Sequence, residues 1–401
     1  MKKHGKRPAW IPALFSFLLL LGLGWVGYSI WPFIAASGTA NVSAHSSAKT
    51  AVAHPSKQQQ MARKEAPARK KAVGKFLKKE KAIDRILNQT GFSGTAVVVS
   101  HGQIVLDKGY GLSDLRTRKP NTVLTRYYIG SMTKAVTAAA FMQLRQHGWI
   151  DFRTPVSQFY PNFPNGNRLQ MIDLLDHVSG LGGDSESMQP LTRDQLVAKI
   201  ARLNPKLRSK PGTVWSYQDT NYALLGAILD KICETHYHEN LHAYIQQSIY
   251  SVAGMKNSGF GITGEQSANR SIPYLRHGKV TFEAFAPSFS QLLGCGDVYA
   301  TSWDLYLFDH ALATGRLMSS SSLHELLTSR FHGTSYSMGW YLNRHGWGAG
   351  TNSSHGVLGG WNGSNAFSKD GQNYLILLSN VKSSQVQLAV LNRKIFAILS
   401  N

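Results

Sequence analysis

The sequence predicts an α+β fold: an antiparallel sheet flanked by helices, an α-helical region inserted between its strands, and a single transmembrane helix in front. Three observations carry this expectation. A strand-like hairpin opens the folded part, strand character returns only near the C-terminus, and the stretch between is patterned as helices.

In chain order, residues 1–8 hold four Lys/Arg and read as a cytoplasmic basic tail. Residues 9–34 carry no charge and place Trp10, Trp25, Tyr28 and Trp31 toward the ends. That length exceeds a signal-peptide core and suits a bilayer interior of ~30 Å. The cations ahead of the span put the N-terminus inside and the rest on the extracellular face, a single-pass signal anchor; cleavage near Gly38-Thr39-Ala40 is the alternative. Residues 35–85 read as a basic linker whose last part, residues 74–88, is helical and packs on the domain. Residues 41–85 carry +9 and residues 1–8 carry +4, so the 316 residues from 86 onward hold only +8 of the total +21. Charge concentrated in a tether outside a membrane points to anionic wall polymer or lipid headgroups rather than nucleic acid; a solvated spacer is the plainer alternative.

The domain, residues 86–401, starts with apolar residues 92–100, a His101-Gly102 turn and a second strand over 103–111. An Ala-rich, apolar segment after Lys134 reads as a buried helix ended by Gly148. Helical patterning continues over 169–181 and 192–203 and in a long apolar helix that the stretch 210–226 leads into, and strands return at 337–342, 357–359, 365–369 and 374–379 before a closing helix over 386–400. The hairpin and the late strands are expected to share one sheet. Cys233 lies in an apolar helix and Cys295 between two glycines, and both read as free thiols.

Chemistry concentrates in Thr125 and Ile129-Gly130-Ser131-Met132-Thr133-Lys134, where a Ser-x-x-Lys pair opens the buried helix. Residues three apart share a helix face, so the Lys134 amine can reach the Ser131 hydroxyl, while first-turn N–H groups point at whatever the serine attacks. A serine needs such help, and a lysine serves as base only if burial or a neighbouring cation lowers its pKa.

This run resembles the nucleophile motif of the serine β-lactamase and penicillin-binding protein superfamily, in its class C β-lactamase-like branch. The resemblance covers about three quarters of the chain, through Leu174-Leu175-Asp176-His177-Val178-Ser179-Gly180-Leu181, Pro211-Gly212-Thr213 before Tyr217, Gly254-Met255 and Gly359-Gly360. It implies the β-lactamase/D,D-peptidase-like fold, Ser131 as acylated nucleophile, Lys134 as its proton partner and Tyr217 as the group exchanging protons with serine and leaving group. A tyrosine ionises near ~10 and becomes a usable base only beside a cation. The oxyanion hole it implies is the N–H of Ser131 with that of Gly360, one such donor being worth ~3 to 4 kcal/mol.

Two departures matter. The family's Tyr-x-Asn reads Tyr217-Gln218-Asp219, an amide replaced by an anion that only accepts. On the sheet strand, the family's Lys-Thr-Gly or His-x-Gly aligns with Val357-Leu358-Gly359, so its cation is missing, and His355 sits one pleat step of roughly 6.6 Å away. In the family that cation helps hold a substrate carboxylate. Losing it and gaining Asp219 turns the site toward an ammonium, as found in a D-alanyl ester of a teichoic acid. The expected function is a membrane-anchored D-alanyl esterase needing no metal or organic cofactor; the alternatives are a peptidoglycan D,D-carboxypeptidase, a β-lactamase-like esterase, and a non-catalytic wall-binding protein. One competing motif, His238-Glu239-Asn240-Leu241-His242, matches the zinc-protease His-Glu-x-x-His but lacks a third ligand at a recognisable spacing, so surface histidines are expected there, and His177, His332 and His345 are expected to be structural or exposed.

Overall fold

Residues 96–99 are apolar without interruption, a pattern that suits a strand buried on both faces. In the computed structural model, which describes residues 74, 76–183, 186–261, 269–343 and 350–400, they form the middle of strand β1 (Gly94–Ser100), buried throughout. Val97 and Val99 enter one hydrophobic core; Ala96 and Val98 enter a second on the opposite face. The expected basic tail, membrane span and most of the linker lie outside the described residues, and among these no helix is long and apolar enough to cross a membrane.

β1 turns through His101 and Gly102, both at positive φ (50° and 72°), into β2 (Gln103–Tyr110). The late strands are β3 (Tyr336–Ser337), β4 (Trp340–Asn343), β5 (Thr351–Leu358), β6 (Trp361–Ser368) and β7 (Asn373–Ser379). They complete a seven-stranded antiparallel sheet of order β3-β4-β5-β6-β7-β1-β2. β7 pairs with β1 in the register Val97↔Ile376, so the two ends of the domain close into one sheet as the sequence predicts.

Helix α1 (residues 76–89) supplies Ile83 and Leu87 to the second core, where α9 (Leu388–Ser400) adds Leu391, Ile395 and Leu399. The last part of the expected linker is therefore part of the domain. The other face carries α2 (Thr133–Gln146), α3 (Met171–Leu175), α4 (Arg193–Leu203), α5 (Asp219–Tyr237), α6 (Leu241–Ile245), α7 (Ser302–Ala313) and α8 (Ser320–Leu326). Small buried side chains at Ala135, Ala138, Ala139 and Ala140 let α2 run through this core, and Gly148 ends it at φ 78°.

Three expectations need correction. The strand over 337–342 is a hairpin, because Met338 and Gly339 take positive φ (42° and 88°) and turn the chain back. The short strand at 357–359 is the end of the eight-residue β5, whose polar Thr351–Ser354 stretch hides its strand character. The middle region also holds short strands, two of which, Tyr274–His277 and Val280–Glu283, form a three-stranded sheet with Val381–Ser383 from beyond β7, all too brief for periodicity to reveal.

If α1 belongs to the domain, Leu87→Ala lowers the stability read by urea unfolding by about 2 to 5 kcal/mol. Leu77→Ala, at an exposed site on the same helix, changes it by less than about 0.5 kcal/mol.

Candidate active site

Gly130 has φ 52°, and a Cβ there would stand 2.8 Å from the Val357 carbonyl oxygen, so both conformation and space call for glycine. It opens a 3₁₀ turn, Gly130–Met132, that runs straight into α2. Ser131 thus sits just ahead of the helix rather than within its first turn. Lys134, one residue into α2, is 1% exposed.

The Lys134 ammonium donates to Ser131 Oγ (3.0 Å), Asp219 Oδ1 (2.5 Å) and the Cys295 carbonyl (2.9 Å). Three donors meet three acceptors. Burial acts to lower the Lys134 pKa, but attraction to the Tyr217 and Asp219 oxygens and to Cys295 outweighs it, and the net direction is upward. Lys134 is held as a cation, the reverse of the lowered pKa a lysine base requires. Asp219 is the first residue of α5, where the helix N-terminus favours a carboxylate, and its side chain remains 44% exposed.

Tyr217 lies beside this pair with its ring centroid 5.0 Å from Lys134 Nζ. The His177 ring lies against it at 4.3 Å between centroids, and Tyr336 packs perpendicular to it at 6.1 Å. The chain carrying Tyr217 is bound to His177 on both sides. Ser216 N–H donates to the His177 carbonyl (2.8 Å), and Gln218 N–H donates to His177 Nδ1 (3.3 Å). Because a backbone N–H can only donate, Nδ1 is the acceptor and Nε2 carries the proton toward Tyr336 Oη, 3.2 Å away. Burial, with the Lys134 charge added, pushes the His177 pKa well below its usual range, so the imidazole is neutral. Asn221 ties the same block together: its amide nitrogen lies 3.0 Å from Nδ1 and its oxygen accepts from Ser179 Oγ at 2.5 Å.

The remaining wall is the edge of β5. The two-residue turn Gly359-Gly360 joins β5 to β6 with Leu358 opposite Trp361, a closing pair that exchanges hydrogen bonds. Even-numbered residues of β5 therefore bond to β6, and odd-numbered ones face β4. The β4 pairing ends at Ser353, opposite Tyr341, so Val357 lies past the end of that ladder with its backbone groups directed away from β6. A Cβ on Gly356 would stand 2.0 Å from the Ile129 oxygen and 2.7 Å from the Ser131 nitrogen. The strand's close approach to the nucleophile is at Gly356 and Val357. A Cβ on Gly360 would instead meet the Tyr274 backbone at 2.3 Å, and one on Gly359 the Phe285 oxygen at 2.8 Å. The structure places this turn against the small sheet of the middle region, so the third motif reads Ser354-His355-Gly356, three residues ahead of the alignment expected from sequence.

His355 is accordingly in the cleft wall, not displaced from it. Its ring stacks on Tyr341 at 4.7 Å, and burial together with the Lys134 charge brings its pKa down to about 4. The Val357 side chain is 42% exposed. No cation stands on the described β5 residues. The His-Glu-x-x-His stretch is broken: His238 caps the end of α5 with φ 57° and Asn240 caps the start of α6, so the two histidines share no helix face. His242 instead bonds Asp297 at 2.7 Å. Cys233 and Cys295 are free and buried. Sequence reasoning noticed the block around His177 without its role and passed over Gly356 and Tyr341; the signal for Gly356 was a glycine inside a strand, which marks a close backbone approach.

Residues 79–400 match the family model described as Beta-lactamase. PbpX, a penicillin-binding protein-like chain of Bacillus subtilis (strain 168), is 36% identical over 338 residues, 83% of each chain. The teichoic acid D-alanine hydrolase of Staphylococcus aureus (strain MRSA252) is 28% identical over 276 residues, 66% of each chain. Among solved structures, FmtA from Staphylococcus aureus superimposes with a TM-score of 0.71 at 22% identity, covering 80% of this chain and 88% of that one. The D-amino acid amidase of Ochrobactrum anthropi SV3 gives 0.66 at 22%, covering 81% and 97%. These two likenesses bear on the fold.

Gly356→Ala is expected to cut kcat/KM about 100-fold with the circular dichroism spectrum retained, since a Cβ must push β5 from the Ser131 turn. His355 should also leave a mark on stability. Its folded pKa of about 4 lies below the ordinary 6.5, so between those values acid protonates the unfolded chain but not the native one. Stability read by urea unfolding falls as pH drops through that window, and His355→Phe, which keeps the ring on Tyr341, makes the fall smaller.

Proposed function

The chain belongs to the beta-lactamase family of serine hydrolases, and we propose that within it the protein hydrolyses D-alanyl esters of teichoic acid through an acyl-enzyme on Ser131. The observation that carries this reading is the Asp219 carboxylate, bound to Lys134 beside the nucleophile and still nearly half exposed. A D-alanyl ester presents an ammonium next to the scissile carbonyl and no carboxylate on its leaving alcohol. Asp219 supplies the matching anion. A neutral His355 with an exposed Val357 offers no cation to hold a carboxylate. The Staphylococcus aureus relative named for teichoic acid D-alanine hydrolysis supports the same substrate class.

In the proposed mechanism Lys134 stays an ammonium throughout. Tyr217, beside that charge, acts as the general base and takes the proton from Ser131 Oγ as Oγ bonds to the ester carbon. The carbonyl π electrons move to oxygen, and the oxyanion is met by the N–H groups of Ser131 and Val357, the latter taking the part assigned from sequence to Gly360. The ester C–O bond breaks and the leaving alkoxide recovers the proton from Tyr217. Water then attacks the acyl carbon, giving a proton to Tyr217, which returns it to Ser131 Oγ as D-alanine leaves. No metal or organic cofactor enters this scheme. His177, beneath Tyr217, is a positioning residue. The membrane expectation from residues 9–34 fits this substrate, placing the domain on the extracellular face.

The full chain incubated with D-alanylated teichoic acid and, in parallel, with a muropeptide ending in D-Ala-D-Ala is expected to release D-alanine from the polymer alone, at a rate that drops at least about 1,000-fold in Ser131→Ala. Release from the peptide alone would replace this reading with a carboxypeptidase.

A further inference from the structure

The small sheet against which Gly359 and Gly360 pack has one face on the domain and one face in solvent. Tyr274, 5% exposed, donates a backbone hydrogen bond to Asn380 and turns its ring inward, so Tyr274, Arg276, Thr281 and Glu283 share the inner face. Alternation then places Leu275, His277, Val280 and Phe282 on the outer face. The His277 and Phe282 rings stack there at 6.0 Å. Val280 is 64% and Phe282 47% exposed, and Phe285, just past the strand, is 78% exposed. Lys279 stands at the hairpin tip, and Lys382, in parallel register with Leu275, puts a second exposed cation on the outer face. The one acidic residue of the three strands, Glu283, alternates to the side of Tyr274 and is exposed at the end of its strand.

A ridge of exposed Val and Phe edged by lysines, without an acid among them, is arranged as interfacial membrane segments are. We propose that this hairpin, Tyr274–His277 with Val280–Glu283, docks the domain on an anionic bilayer, with Val280, Phe282 and Phe285 entering the headgroup region and Lys279 and Lys382 meeting lipid phosphates. Charge complementarity fits any polyanion, but a polyol phosphate chain has no apolar surface to cover Val280 and Phe282, whereas a bilayer does. The position gives the docking a purpose. The hairpin backs the turn that follows Val357, so the open edge of β5 and Ser131 lie next to the docked surface, within reach of esters carried on lipid-linked polymer. The surface stands apart from the choice of acyl substrate and can fail without that choice failing.

The test uses the full chain with Val280→Cys carrying an environment-sensitive fluorophore; the buried Cys233 and Cys295 do not compete for the label. In vesicles of phosphatidylcholine with phosphatidylglycerol, nitroxide-labelled lipid is expected to quench the probe, while a probe on Leu203→Cys, exposed on α4, stays unquenched. Replacing both Lys279 and Lys382 by Gln is expected to reduce the docked-to-free ratio on the order of tenfold and leave hydrolysis of a small soluble ester unchanged. Pure phosphatidylcholine vesicles are expected to give the weaker quenching of the charge-depleted variant. Absence of quenching in the anionic vesicles, equal quenching at both probe sites, or a spectral shift with soluble poly(glycerol phosphate) but not with vesicles would overturn the proposal.

Discussion

The site depends on keeping one ammonium charged inside the protein. Lys134 is 1% exposed, and an unpaired charge at that depth would cost several kcal/mol. Its acceptors come from three separate parts of the chain: the 3₁₀ turn at Ser131, the first turn of α5 at Asp219, and the loop carbonyl of Cys295. The ion pair therefore fixes α2, α5 and the 294–297 loop relative to one another. Gly294 permits the close approach: a Cβ there would lie 3.0 Å from Gly226 Cα of α5, and its carbonyl accepts from Thr137 of α2. The same contacts that neutralise Lys134 leave it without a free lone pair, so the chemistry of proton transfer passes to its neighbours.

Backbone geometry supplies the other half. The 3₁₀ turn and β5 approach until no side chain fits between them, and glycine stands on each side of the contact, at Gly130 and Gly356. β4 pairs with β5 only as far as Ser353, so Val357, the β5 residue beside the Gly130 turn, lies past the end of that ladder. An exposed strand edge is ordinarily a hazard in a sheet. Here it is short and lies beside the turn that carries Ser131.

Much of this was legible in the sequence because the elements concerned obey local rules. The Ser-x-x-Lys spacing gave the 3.0 Å contact, the Tyr217-Gln218-Asp219 stretch brought Asp219 to Lys134, and the hairpin at His101-Gly102 carried the two positive φ values its turn type demands. What stayed hidden was relational. Nothing local distinguishes Gly356 from Gly359 and Gly360 as the glycine at the nucleophile, since all three lie at points of close backbone approach and only their partners differ: Ile129 and Ser131 for the first, Phe285 and Tyr274 for the others. His177 was similarly opaque. Its role follows from a ring face and two N–H donors contributed by residues some forty positions later.

The electrostatics of the cleft form one consistent set. Both histidines within reach of the Lys134 charge have their pKa values lowered, with burial the larger cause in each. His177 is consequently a neutral platform under Tyr217, and His355 a neutral wall beside Tyr341. The charges at the nucleophile reduce to one ammonium and one carboxylate, the first buried and the second reaching the surface. A ligand entering from solvent meets the anion first. A substrate carboxylate would have to sit near Asp219 with no countercharge on β5, whereas a substrate ammonium finds the Asp219 carboxylate. The proposed preference for a positively charged acyl group thus rests on Asp219, the member of the ion pair that reaches the surface while Lys134 stays buried.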